Sequence, residues 1–374
     1  MRIALIGPIY PFRGGIAHYT AKLVQVLSNR NETKVFSFKH QYPAWLYSGR
    51  SDKDPSPKVV DVNVAYTIDP LNPLSWTRTV KEIQFYRPDI LVIEWWVTFF
   101  APVFTMIAWF FRQSNIPVIF LIHNVLPHEK SWLHRPLAWI TLKQGSLYIV
   151  HTSKERERLL SLIPHGKVII CPFPIYDMLA EPTSLTQAEA RCQLNIPETG
   201  RVLLFFGIVR QYKGLIYLLE AMRLLQGKIT DLYLIIAGEI WKNKADYEQK
   251  IKSLGLSEFV QLHDRYIPDE ELGVFFRAAD LSVAPYVSGT QSAVAALSLG
   301  YGIPLLATEW SAAGIDKAYN AMVRLVPSGD ARALADAIQT FFESHTSSQT
   351  TIPLSASKSW EILVEAIEKI AKKN

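Results

Sequence analysis

Short apolar runs recur along the chain, and between them apolar positions return every three or four residues. Residues 3–6, 34–37, 59–66, 90–96, 118–122, 147–150 and 168–171 are predicted as strands. Residues 16–27 and 154–162 are predicted as helices, and 81–86 as the end of another that Pro88 stops. Strands this short and apolar, separated by helices, predict a parallel sheet covered on both faces. The first half is therefore expected to be a doubly wound α/β domain.

The alternation breaks at 172–200, where Pro172, Pro174, Pro182 and Pro197 leave room only for a short helix at 185–194. Such a stretch predicts a linker and a domain boundary. Strands then resume at 202–206, 232–237, 260–262, 281–284 and 304–307, with helices at 215–225, 247–254, 270–278 and 293–300. A last helix at 359–372 aligns Ile362, Leu363, Ala366, Ile367 and Ile370 on one stripe. The expected organisation is an N-terminal domain at 1–175, a linker at 176–200, a second domain at 201–357, and a C-terminal helix at 358–374 that returns to the first domain.

Residues 95–111 carry no charge. They sit at the short limit for crossing a bilayer, contain Pro102, and lie between the apolar runs 90–93 and 118–122, so a buried or surface-lying helix is predicted instead.

Two turns have matching layouts. Gly7 to Gly14 and Gly207 to Gly214 each place a glycine directly after a strand and another before a helix, with Arg13 or Lys213 just ahead of the second glycine. The first N–H groups of a helix are unpaired and its dipole is positive there, so such a turn can seat a phosphate. Arg210 and Lys213 add two cations; an ordinary loop with solvated basic residues is the alternative. Turns of this kind lie at the carboxyl ends of parallel strands, where open α/β sheets bind ligands. If the domains face each other, both turns point into a shared cleft, with Gly14 and Gly15 letting backbone approach a ligand. A third candidate segment is 285–308, where Gly289, Thr290, Gln291 and Ser292 precede a helix of small apolar residues. Thr290 or Ser292 can cap that helix, and its exposed N–H groups can hold a diphosphate.

Composition and charge refine this picture. The 374 residues, 49% of them hydrophobic, can fill two cores. The net charge of +5 is uneven: residues 1–175 hold 20 Lys and Arg against 11 Asp and Glu, leaving 19 against 23 in the remainder. A basic first half suggests an anionic partner, such as a membrane surface, a phosphorylated acceptor or nucleic acid. No nucleic-acid-binding motif is present, which argues against the last. Two cysteines, Cys171 and Cys192, build no disulfide framework, and the four apolar residues before Gly7 are too few for a signal-peptide core, so a cytoplasmic location is expected.

Taken together, the chain resembles the family-4 glycosyltransferases of the GT-B fold from end to end. The resemblance implies two Rossmann-like domains facing a cleft, and transfer of a sugar from a nucleotide-sugar to an acceptor with retention of anomeric configuration. Gly14-Gly15-Ile16 looks like the family's N-terminal glycine-rich turn, and Gly207, Arg210, Lys213 and Gly214 are similar to its diphosphate-binding segment. Residues 265–272, with Tyr266 and Ile267, then 278–280 and Pro285-Tyr286, resemble the stretch lining the nucleobase pocket. His123, opening His-Asn-Val-Leu-Pro-His-Glu, falls where the family keeps a histidine near the transferred sugar.

One departure stands out. Most of the family carries two glutamates eight apart, and aligning Gly302-Ile303-Pro304 with the end of that motif puts Gly289 and Leu297 there instead. Thr290-Gln291-Ser292 is similar to a subgroup's turn. The implied catalytic set is His123, Arg210 and Lys213, the two cations meeting the charge that builds on the leaving diphosphate. No Asp-x-Asp lies near these segments, and His123, His128 and Glu129 lack a zinc spacing, so neither metal nor cofactor is expected. The acceptor is expected to be a glycan or lipid-linked molecule, with 95–111 resting on an anionic membrane face. A nucleotide-sugar-binding protein without transferase activity is the alternative that the missing glutamates motivate.

Overall fold

The computed structural model describes residues 1–43, 49–56, 62–127, 131–176, 185–344 and 357–371. The chain divides into two compact units, Met1–Pro172 with Ser359–Asn374, and Phe173–Lys358.

The first unit holds seven strands: β1 (Arg2–Ile6), β2 (Glu32–Phe38), β3 (Val64–Ile68), β4 (Ile90–Trp95), β5 (Val118–Ile122), β6 (Leu147–Val150) and β7 (Val168–Ile170). All pair in parallel, in the order β3-β2-β1-β4-β5-β6-β7, so the winding reverses between β1 and β4. β4 and β5 are buried along their whole length, which is why they are nearly all apolar. β3 begins later than the expected 59–66, and residues 59–61 lie outside the described residues. The same holds for His128 and Glu129.

The uncharged stretch 95–111 is mostly core. Trp95 ends β4, Thr98–Phe100 forms a 3-10 turn, and Ala101–Gln113 is a helix with Pro102 in its first turn, where no hydrogen bond is lost. Trp95, Phe100, Phe104 and Phe111 are fully buried. Among the described residues no helix is long and apolar enough to cross a membrane.

The second unit holds β8 (Arg201–Phe206), β9 (Leu232–Ala237), β10 (Val260–His263), β11 (Leu281–Ala284), β12 (Leu305–Ala307) and β13 (Val323–Leu325). These are again all parallel, in the order β10-β9-β8-β11-β12-β13, with the reversal between β8 and β11. Ahead of them, the helix Gln187–Gln193 starts with a capping box between Thr186 and Glu189. Arg191 from that helix holds both carboxylate oxygens of Asp280 at 2.8 Å, and Asp280 Oδ2 also accepts from Val202 N–H. Asp280, in the stretch that resembles a nucleobase-pocket lining, thus fastens the amino-terminal ends of β8 and β11.

The C-terminal helix Ser357–Ala371 belongs with the first unit. Its buried stripe is Trp360, Leu363, Val364, Ala366 and Ile367, while Ile362 turns outward. Trp360 packs on Tyr19 with ring centres 5.0 Å apart, and Asn31 Nδ2–H donates to Glu368 Oε1 at 2.8 Å.

Candidate functional site

In the second unit the two turns at the strand-order reversal are built against each other. After β8 the chain turns at Gly207, whose N–H donates to Ala237 of β9, and Val209 bridges to Ile240. A 3-10 turn, Gln211–Lys213, leads to Gly214, whose positive φ of 72° opens the helix Leu215–Leu225. A side chain at Gly214 would place Cβ 2.1 Å from the Pro285 carbonyl oxygen, so glycine is required by conformation and by contact. Val287 N–H donates to the Tyr212 carbonyl at 2.8 Å, fastening the segment after β11 to the turn after β8. The helix Ala293–Gly300 begins there, capped by Ser292: Oγ accepts from Ala295 N–H at 3.2 Å. Thr290, the other candidate cap, is buried beside it.

Two aromatic faces support the two cations. Arg210 is exposed, and its guanidinium carbon lies 4.3 Å from the centre of the Trp241 ring. Lys213 is buried, with Nζ 5.4 Å from the ring centre of Tyr286 and close enough to Gly207 that a Cβ there would stand 3.2 Å away. Burial lowers the pKa of Lys213, Tyr212 opposes that shift, and Arg210 adds to it. An anion seated beside the ammonium would favour its charged form. Tyr286 is fixed by Tyr212, edge-on at 5.8 Å, and its hydroxyl accepts from Ser292 Oγ–H at 3.3 Å. Burial pushes that phenol up to about 12. Tyr266 and Ile267 belong to the loop after β10, two strands away from β8, with Ile267 buried. At the two glutamate positions, Gly289 lies in the loop and Leu297 is buried in the helix Ala293–Gly300.

In the first unit the equivalent edge carries a buried polar cluster. Gly14 caps the helix Gly15–Ser28 with φ 109°, and a Cβ there would meet no atom within 4 Å, so conformation alone requires the glycine. Glu94 of β4 is fully buried and accepts from Thr20 Oγ1–H at 2.8 Å. His123, just past β5, places Nε2 3.8 Å from the same carboxyl oxygen. Burial raises Glu94 well above the carboxylate range and lowers His123 to about 3, so the two stand neutral rather than as an ion pair. His151, past β6, donates from Nδ1 to the Cys171 carbonyl at 3.0 Å, which leaves Nε2 to accept from the Tyr19 hydroxyl at 3.3 Å. Tyr19 also meets His123 edge-on at 4.8 Å.

Comparison with known proteins settles the family. "Glycosyltransferase Family 4" matches residues 13–175 and "Glycosyl transferases group 1" matches residues 200–344. The chain belongs to the family 4, group 1 glycosyltransferases. It is 23% identical to the D-inositol 3-phosphate glycosyltransferase of Corynebacterium diphtheriae over 307 residues, covering 76% of this chain and 70% of that protein. A D-inositol 3-phosphate glycosyltransferase 1 of Catenulispora acidiphila is 30% identical over 256 residues, 62% of this chain and 60% of its own. Among solved structures, Anabaena HepE in complex with UDP-glucose superposes with a TM-score of 0.70 at 18% identity, covering 100% of this chain and 98% of that one. A Rickettsia africae glycosyltransferase gives 0.72 at 14% identity, with coverage of 100% and 98%. The fold of this glycosyltransferase is therefore GT-B, with two Rossmann-like domains.

Two site-edge residues of this glycosyltransferase escape the sequence reading. Glu94 has a visible signal, a lone carboxylate inside an otherwise apolar strand. Trp241 has none locally, because parallel pairing of distant residues brings it under Arg210.

Proposed function

We propose that this glycosyltransferase moves a hexose from a nucleoside-diphosphate sugar to a glycan or lipid-linked acceptor, with retention and without a metal. The observation that carries this reading is the pair of cations, Arg210 and Lys213, in the turn after β8 that the Val287–Tyr212 hydrogen bond joins to the segment after β11 at the strand-order reversal. As the glycosidic bond breaks, charge collects on the diphosphate. Arg210 offers a planar fork and Lys213 a point charge, while the first amides of the helices Leu215–Leu225 and Ala293–Gly300 add donors. Gly207, Thr290, Gln291 and Ser292 shape this seat, with Tyr266 and Ile267 placed toward the nucleobase. In the first unit, Gly14 and Gly15 are assigned to the donor phosphate or the acceptor and His123 to the transferred sugar. HepE bound to UDP-glucose and the inositol phosphate glycosyltransferases support a nucleotide-sugar donor. The basic first half supports work at the cytoplasmic face of an anionic membrane.

A second reading, a nucleotide-sugar-binding protein without transfer, is favoured by Gly289 and Leu297 in place of the two glutamates. One experiment separates them. A thermal-shift screen of UDP-, GDP-, ADP- and dTDP-sugars names the donor, and turnover of that donor is then measured. Transfer is expected, falling about 10²- to 10³-fold in Arg210→Ala and in Lys213→Ala with folding intact. Wild-type turnover in both variants would return the Gly207–Gly214 turn to an ordinary loop, and binding without any turnover would establish the second reading.

A further inference from the structure

Two neighbouring helices of the first unit carry exposed aromatic residues. The helix Ala101–Gln113 lies beside the helix His134–Leu142, joined by Thr105 Oγ1 and Thr141 Oγ1 at 2.7 Å, and Arg112 Nη1–H donates to the Lys143 carbonyl at 2.8 Å. Between them runs an open apolar groove of about 380 Å³, lined by Thr105, Met106, Trp109, Leu137 and Ile140 among others. Trp109 is 52% exposed, Trp139 47% and Ile140 42%; in the turn before the second helix Trp132 is 83% exposed and Leu133 43%. Amphipathic helices ordinarily turn polar residues outward, and these two turn indoles outward.

Cations predominate in the sequence around this surface. Along residues 95–152 Glu129 is the single acid, against Arg112, Lys130, Arg135 and Lys143. Lys143 stands with Nζ 4.3 Å from the centre of the Trp139 ring, so a cation sits at the edge of an exposed indole. Indoles at an apolar–polar boundary with cations beside them match the interface of a bilayer, where the ring enters the headgroup layer and the cation meets lipid phosphate. A second copy of the same face would set like charges against each other, which disfavours self-association.

We propose that the paired helices Ala101–Gln113 and His134–Leu142 form the docking surface for an anionic lipid bilayer, Trp109, Trp132 and Trp139 entering the interface while Arg112, Arg135 and Lys143 bind lipid phosphate. This names the partner for the membrane-side placement proposed above and rests on that reading. It also moves the contact away from the buried body of 95–111 and onto two outward faces.

The test is flotation of the full chain at low salt with phosphatidylcholine vesicles and with vesicles that also contain phosphatidylglycerol. Binding to the anionic vesicles alone is expected. Trp109→Ser/Trp139→Ser and Arg135→Glu/Lys143→Glu should each weaken it by about tenfold or more with an unchanged melting temperature, since these side chains project outward. The charge-reversed pair carries the test if the tryptophan pair melts early. Equal binding to neutral vesicles, wild-type binding by both variants, or a concentration-dependent dimer that the tryptophan pair abolishes would each overturn the proposal. Donor binding, measured by thermal shift on the same proteins, is expected to be unchanged. Its absence from the wild type would sink the transferase reading while leaving the vesicle result standing.

Discussion

Arg210 is an exposed side chain with many rotamers, and what limits them is the Trp241 ring beneath it. A cation over an indole at an exposed site gains about 0.5–1 kcal/mol, which corresponds to roughly a two- to fivefold change in affinity. Trp241→Leu is therefore expected to weaken nucleoside-diphosphate binding by about that factor, and Trp241→Phe, which keeps an aromatic face, to recover much of it. Calorimetric titration of UDP or the screened nucleotide checks this. The decisive comparison is the double variant with Arg210→Ala, where the Trp241 change should cost nothing more. Additive losses would show that Trp241 does not act through Arg210. Lys213 differs, since burial and the Tyr286–Ser292 contact already fix its surroundings.

At the scale of elements, the carboxyl ends of β1, β4, β5 and β6 converge on the neutral cluster of Glu94, His123 and His151, with Tyr19 and Thr20 from the helix above. Its pH dependence has two limbs. His123 and His151 are both lowered from 6.5 to about 3 by burial, so as pH falls below 6.5 the unfolded chain gains protons that the fold excludes, and stability falls. Glu94 is raised from 4.5, so as pH rises above 4.5 the unfolded chain loses a proton that the fold keeps, and stability falls toward alkaline pH until Glu94 ionises. The histidines outweigh Glu94 between 4.5 and 6.5, and above 6.5 only the Glu94 limb remains. Glu94→Gln should remove that alkaline limb, as read from urea unfolding of the first unit at pH 6.5 and above. A stability difference from wild type that does not vary with pH there would show that Glu94 is ionised in the fold. The strands bearing this cluster are legible in the sequence because strands buried on both faces are continuous apolar runs. The helix His134–Leu142 is not, since its outward Trp139 and Ile140 erase the polar half of the pattern. Ala331–Ser344 hides for a different reason: half of its buried stripe, Ala335 and Ala337 beside Leu334 and Ile338, is alanine. β13 is only three residues long. The Gly207–Gly214 turn is legible because glycine and cations are local signals, whereas its aromatic supports depend on pairing between strands.

At the scale of the molecule, the first unit is discontinuous in sequence: its strands end with β7, and its last helix arrives after the whole second unit. That helix buries Trp360, Leu363 and Ile367 completely, and Trp360 lies on Tyr19, the ring that also touches His123. The first unit should therefore depend on it far more than the second does. Trp360→Ala leaves a cavity in a packed core and is expected to cost the first unit about 3–5 kcal/mol. The second unit, which has its own core cluster running from Leu203 to Ile338, should keep its own transition. Two-probe denaturation checks this, with indole fluorescence following the first unit and thermal shift with the screened nucleotide following the second. The variant should lose transfer at a temperature where it still binds nucleotide, because Arg210, Lys213 and Tyr286 all reside in the second unit. If Trp360→Ala instead lowers both transitions equally, the two units unfold as one, and the C-terminal helix stabilises the whole chain rather than the unit it packs on.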